Sequence, residues 1–291
     1  MISIARSESN TLFAETVFRV VSEHAAPYSI SPTPELWRAP GDSGFLGVCT
    51  AEIGGSATDL LAAMETLGRV GCPGPLVAAQ VATQLFTGDL LTEVSHGTSF
   101  VTITNGSYAP WATISRIKVE ISDGRAWLVE PLAGLKQVAT LSGETWSTGR
   151  FKRTQEFENV ERATVLGDIA LSSYLIGAAL ELTQVAADHA KSRRQFGRPI
   201  SEFQAVAHPL ARSFSELTAA SRLLIILGLE FDQQTLQRQQ TGPIRQHIAR
   251  MTCQAAERSH QVFGAMGFAS ESGIGTRSAR IRQWACLPPL I

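Results

Sequence analysis

The sequence predicts a mainly α-helical chain interrupted by one small β module. Apolar residues recur at helical spacing over 57–70 and again from about residue 162 to 263, while the stretch between is cut into short β-branched runs by Asn-Gly and Asp-Gly pairs. With 291 residues, 44% hydrophobic and 18% charged, the chain is long enough for two or three packed units and is neither disordered nor collagen-like. We divide it into a helical N-terminal domain at 1–88, the β module at 89–162 and a helical bundle at 163–291.

In chain order, Leu12, Phe13, Val17, Val20 and Val21 predict an amphipathic helix that stops near Pro27. A second helix starts at Pro34-Glu35-Leu36-Trp37 and is broken by the APGDSG turn. Leu60, Leu61, Met64, Leu67 and Val70 share one face of a helix over 57–70 that GCPGP ends, and another helix runs from Leu76 to Phe86. From about Asp89 strands are expected near 99–103, 116–121, 125–129, 136–140 and 154–157, with a hairpin across Asp123-Gly124. A long helix then carries Leu171, Leu175, Ala178, Leu182, Val185 and His189 to the Phe196-Gly197-Arg198-Pro199 break. A second carries Val206 to Phe231, Thr241-Gly242-Pro243 reads as a turn, and a third spans about Ile244 to Phe263. Three such helices make most of a four-helix bundle, and the last helix is expected to be lacking because the chain stops at Ile291. The face left open calls for a partner.

Charge and motifs exclude several function classes. The net charge of −1 removes the electrostatic case for nucleic acid or an anionic membrane surface, leaving small molecules and proteins as partners. The N-terminal residues lack the apolar core of a secretory signal and no run approaches about 18 uninterrupted apolar residues, which predicts a cytoplasmic protein. Cys49, Cys72, Cys253 and Cys286 form no CxxC pair, so idle thiols are expected rather than zinc or disulfides. Phosphate-loop, zincin and α/β-hydrolase motifs are absent. His189 and His208 read as helix-packing residues rather than ligands.

The informative segment is residues 187–206, ADHAKSRRQFGRPISEFQAV. It is a basic helix end followed by an aromatic residue and a glycine break. Two readings stay open: cations complementing a helix C-terminus, or an anion held beside a flat ring.

The order of residues in this stretch resembles the acyl-CoA dehydrogenase family, in which a long helix ends in an Arg-x-x-Phe-Gly turn followed by Phe-Gln-Ala. Leu36-Trp37-Arg38, Gly44-Phe45-Leu46-Gly47, Gly54-Gly55 and Glu65-Thr66-Leu67-Gly68 resemble its N-terminal helical domain, and residues 261–268, QVFGAMGF, resemble its glycine-bearing turn. The resemblance implies an N-terminal helical domain, a reduced β-barrel-like middle module and a C-terminal bundle. It also implies flavin adenine dinucleotide (FAD), shared across a subunit boundary. By resemblance Arg193 bonds the pyrophosphate, Gln195 contacts it, Phe196 packs on the adenosine side, and Gln261 and Gly264 line the turn where the backbone approaches. Ala265 stands where many members have a second glycine. A forked guanidinium and a residue without a side chain suit these roles.

The complementary half departs from the family pattern. Residues 101–111, VTITNGSYAPW, carry no Thr-Glu-Pro or Ala-Gly-Ser loop for the flavin ring. Gly275 and Gly167 fall where the family places its catalytic glutamate, and glycine cannot accept a proton. Asp168, beside Gly167, reads as a cap of a helix starting near Ile169. The resemblance therefore implies no catalytic residue in this chain. It implies a subunit of a heterotetrameric (α2β2) acyl-CoA dehydrogenase, whose longer partner supplies the ring loop and the glutamate. An acyl-CoA substrate of the steroid side-chain type and an electron-transfer flavoprotein as acceptor are expected by the same analogy. The alternatives are a self-sufficient flavoenzyme using Asp168 or Glu271, and a cofactor-free structural subunit.

Overall fold

The computed structural model describes residues 6–26, 28–269 and 272–287. Pro27 and Glu271, to which the sequence assigned a helix stop and an alternative base, lie outside the described residues. Helix α1 (Glu8–His24) starts on a capping box in which Ser7 and Asn10 bond each other's backbone N–H, and it buries Ala14, Val17 and Val21. Helix α2 (Pro34–Asp42) is capped by Thr33 and runs through Pro40, beyond the turn expected there, burying Leu36, Trp37 and Ala39. Burial of Trp37, 1% exposed, outweighs the backbone bond that the proline forgoes. Helix α3 (Ala57–Val70) has the predicted bounds, capped by Ser56 and ended by left-handed Gly71. Helices α4 (Leu76–Leu85) and α5 (Gly88–Ser95) follow. The sequence reading gave α5 to the β module; it is eight residues long, with no side-chain cap.

The middle module holds two sheets. Strands β1 (Val101–Thr104), β3 (Ile117–Ser122), β4 (Arg125–Pro131) and β7 (Phe151–Phe157) form one in the order β1-β3-β4-β7, with β1 and β3 parallel and the remaining pairs antiparallel. The hairpin across Asp123-Gly124 joins β3 to β4, and both of those residues have positive φ. Strands β2 (Tyr108–Pro110), β6 (Trp146–Thr148) and β5 (Lys136–Val138) make a second, antiparallel sheet. At three residues each, β2 and β6 left no alternation to read.

Helix α6 (Val160–Ser192) is the spine of the molecule. It is long and apolar enough to cross a membrane, but its most apolar window is wholly buried inside the fold. Gly68 and Gly177 bring α3 and α6 together: a Cβ on Gly68 would overlap the Tyr174 carbonyl oxygen, and one on Gly177 the Glu65 carbonyl oxygen. Helices α7 (Gln204–Asp232) and α8 (Arg238–Phe263) pack against α6. The break between them is at 233–237, so Thr241-Gly242-Pro243 is not a turn but lies within α8. Thr241 is anchored there by a hydrogen bond to Asp168 Oδ2 at 3.1 Å.

The bundle continues into α9 (Ile274–Ala285). Buried Arg280 on α9 donates to the carbonyls of Gly71 and Ser29 and lies 3.3 Å from Glu144 of the β module. Glu144 also accepts from Ser142, Gln283 and the Trp284 indole at 2.9–3.0 Å. This polar knot joins all three parts of the chain.

Candidate functional site

The segment with the most specific sequence signal sits at one end of the bundle, on the surface. Helix α6 stops at Arg193, which is extended (φ −73°, ψ 122°). Two short strands, β8 (Arg194–Gln195) and β9 (Arg198–Pro199), then form a hairpin with only Phe196-Gly197 between them. Both central residues have positive φ, 52° and 81°, the pattern of a type I′ turn. For a phenylalanine that conformation is strained. Packing does not explain it, because the Phe196 ring is 92% exposed and, among the described residues, its one ring contact is a T-shaped approach to Phe203 at 6.1 Å. The turn is braced by Arg194, which donates to the Gly197 carbonyl at 2.9 Å, and by Arg198, stacked 4.2 Å over Phe203. Gln195 is exposed and turns its amide onto the Arg194 carbonyl.

Beside this hairpin, α8 ends at Gly264 with φ 55° and ψ −132°, a backbone conformation that only glycine adopts readily. Nothing lies within 4 Å of where its Cβ would stand. Gln261 is exposed on the last turn, its carbonyl accepting from the Gly264 amide. The two loops are neighbours because His189 on α6 stacks on Phe263 on α8, and because Ile200, Val206 and Val262 share one apolar cluster around Ala186, Ala190 and Leu210. The sequence-chosen residues Arg193, Gln195, Phe196, Gln261 and Gly264 thus lie on two adjacent loops. Arg193 has no side-chain hydrogen bond or ion pair among the described residues. Its charge and burial of the ring both hold the His189 pKa down, burial contributing more. An unpaired guanidinium, a bare aromatic face and an open glycine backbone fit an anion joined to a flat ring, such as the diphosphate and adenine of a dinucleotide.

The interior tells a different story. Where the N-terminal helices, β module and bundle meet there is a cavity of about 60 Å³, lined by residues including Thr102–Asn105, Trp111, Gly167, Asp168, Arg245 and Trp284. A cavity of roughly 150 Å³ is what admits a single benzene ring in a protein interior. The three-ring isoalloxazine of a flavin therefore does not fit in this cavity.

Asp168 is not a helix cap. It lies in the third turn of α6, 5% exposed, accepting from Thr241 and 3.5 Å from the Arg245 guanidinium. Burial pushes its carboxyl above the usual range, and Arg245 pulls it back. Sequence spacing could not reveal this pair, because 77 positions separate the partners. The cysteines are free thiols: burial pushes Cys72 up to about 12 and raises Cys49 and Cys253 as well, while Cys286 is exposed. Among the described residues no cluster of His, Cys, Asp and Glu could hold a metal ion.

Residues 153–285 match the family model described as acyl-CoA dehydrogenase, C-terminal domain. This part of the chain is similar to the C-terminal domain of acyl-CoA dehydrogenases, and the chain as a whole has the fold of those enzymes. Over 238 residues it is 27% identical to acyl-CoA dehydrogenase IpdE2 of Mycobacterium tuberculosis, covering 73% of each protein. Among solved structures it is similar to a variant of the Tcur3481-Tcur3483 steroid ACAD, with a TM-score of 0.80 and 19% identity over 96% of this chain and 93% of that one. It is also similar to the ChsE4-ChsE5 complex from Mycobacterium tuberculosis, with a TM-score of 0.76 and 15% identity over 97% and 94%.

Proposed function

We propose that this chain is one subunit of a cytoplasmic heteromeric acyl-CoA dehydrogenase and supplies the adenosine diphosphate half of an FAD site shared with a longer partner. The observation that carries the reading is the contrast between two places in one chain. The Arg193–Phe196 corner presents a guanidinium and a bare ring to the outside, while the interior cavity is too small for a flavin ring. A cofactor gripped outside and not housed inside belongs across an interface.

In this reading Arg193 holds the pyrophosphate with a forked pair of donors, Phe196 covers the adenine, and the Gly264 backbone approaches the diphosphate closely. Gln195 would contact the diphosphate, and Gln261 would line the turn beside it with Gly264. A bound flavin would supply the hydride acceptor for dehydrogenating a thioester, chemistry that also calls for a carboxylate to accept the α-proton. That carboxylate comes from the partner, since Asp168 is committed to Arg245 and Thr241. One flavin per pair of unlike subunits follows, in an α2β2 assembly. The ChsE4-ChsE5 complex and the steroid ACAD support a heteromer acting on a bulky acyl-CoA such as a steroid side-chain thioester. An electron-transfer flavoprotein is the acceptor we assign.

The test is co-expression with a longer acyl-CoA dehydrogenase that carries the ring loop and glutamate, followed by flavin content and turnover on steroid-chain and linear acyl-CoAs. Arg193→Gln should strip flavin from the complex, and Arg193→Lys should restore only part of it, because an ammonium is a point charge. A chain that emerges fully flavinated when purified alone and oxidises a thioester unaided overturns the reading.

A further inference from the structure

Trp111 is one of the residues that line the interior cavity. Trp111 follows β2 with a φ of 52°, a strained conformation for a bulky residue. Its backbone is locked there from both sides: its N–H donates to the Thr145 carbonyl at 2.7 Å, and its own carbonyl accepts from the amides of Ile114 and Ser115. The indole is 3% exposed and forms part of the cavity wall. It meets Trp284 edge-on at 5.7 Å, and Trp284 in turn stacks on Tyr174 at 3.9 Å.

The indole nitrogen of Trp111 is buried without a hydrogen-bond partner among the described residues. An unmet buried donor carries a cost, as does the backbone strain. Neither is returned by a polar contact, so what the position gains is the volume of the ring. Around it, Val77, Ile103, Ile121 and Leu171 give walls that suit a flat, uncharged ring. An indole is larger than benzene, so its removal takes the cavity past the size that admits one aromatic ring.

We infer that Trp111 is a plug that keeps planar ring ligands out of the cavity between the three parts of this chain. Its meaning for the division of labour between subunits rests on the shared-site reading above; the exclusion itself is a property of this chain alone.

The probe is indole, a flat uncharged ring of the size removed, titrated into the full chain and followed by calorimetry. Trp146→Gly is the control: its indole is also buried with an unpartnered nitrogen, but it does not line the cavity. Wild type and Trp146→Gly should show no saturable binding, and Trp111→Gly should show one saturable site. Circular dichroism and a thermal melt establish that each variant is folded. Trp111→Val, which keeps a branched apolar side chain, carries the same expectation at lower affinity if the glycine variant does not fold. Folded Trp111 variants that bind no better than Trp146→Gly overturn the inference, as does wild type binding as tightly as they do. Flavin retention by the Arg193→Gln complex is read separately, so either idea can fail while the other stands.

Discussion

The imidazole of His189 lies flat on the ring of Phe263, with centroids 4.1 Å apart and planes 16° from parallel. His189 stands one helical turn before Arg193, and Phe263 immediately precedes Gly264. This single stack sets the spacing of two loops that come from opposite ends of the bundle sequence, and it puts a titratable ring next to the guanidinium.

Because burial and then Arg193 lower the His189 pKa below the ordinary 6.5, the folded chain holds fewer protons there than the unfolded one. The stability this contributes is fully present above about pH 6.5 and is lost as pH falls through the lowered folded value. Arg193→Gln removes the like charge, so the His189 pKa should rise while remaining below 6.5. Adenosine diphosphate bound at the corner should also raise it, and should bind more tightly at lower pH. An NMR titration of the imidazole Cε1–H, with and without the nucleotide, checks all three.

Phe196 is expected to trade stability for binding. An Asn-Gly pair is preferred where both turn residues have positive φ, so Phe196→Asn should stabilise the chain by about 1 kcal/mol. The same change should cost the complex flavin. Urea denaturation of the free chain and flavin content of the complex should therefore move in opposite directions.

Arg280 and Glu144 are 0% and 1% exposed, and each is the other's counter-charge. Glu144→Ala or Arg280→Met alone leaves a buried charge uncompensated and should cost about 3–5 kcal/mol. The double variant Glu144→Leu with Arg280→Met should cost less than the two singles together. Urea midpoints at fixed pH measure the cycle.

Gly177 offers a sharper steric test. Alanine is favoured over glycine within a helix by about 1 kcal/mol, yet a methyl group here meets the Glu65 carbonyl oxygen. Gly177→Ala should therefore destabilise by about 1–3 kcal/mol through overpacking, measured by thermal or urea denaturation.

What the sequence disclosed and what it withheld divide along the range of the interactions. Helices α1, α3 and α7 were legible because caps and apolar spacing lie within a few residues of each other, and the Arg-x-x-Phe-Gly turn is likewise a local pattern. Helix α2 passes through Pro40 because Leu36 and Trp37 are wanted in a core assembled from distant segments. Helix α8 begins before Thr241 partly because Asp168, 73 residues earlier, anchors that threonine. Helix α5 and the strands β2 and β6 are too short to show a period. The pairing of Asp168 with Arg245 and the inward indole of Trp111 depend on how three units meet, which no local pattern records.

Helix α9 comes after everything that Arg280 holds: the carbonyls of Ser29 and Gly71 and the carboxylate of Glu144. On the ribosome those earlier segments must wait, their polar groups unmatched, until the fastening residue emerges. A cell making this protein therefore carries, for part of each translation, a chain whose latch has not arrived, and this is the interval in which chaperones or a partner subunit have most to protect.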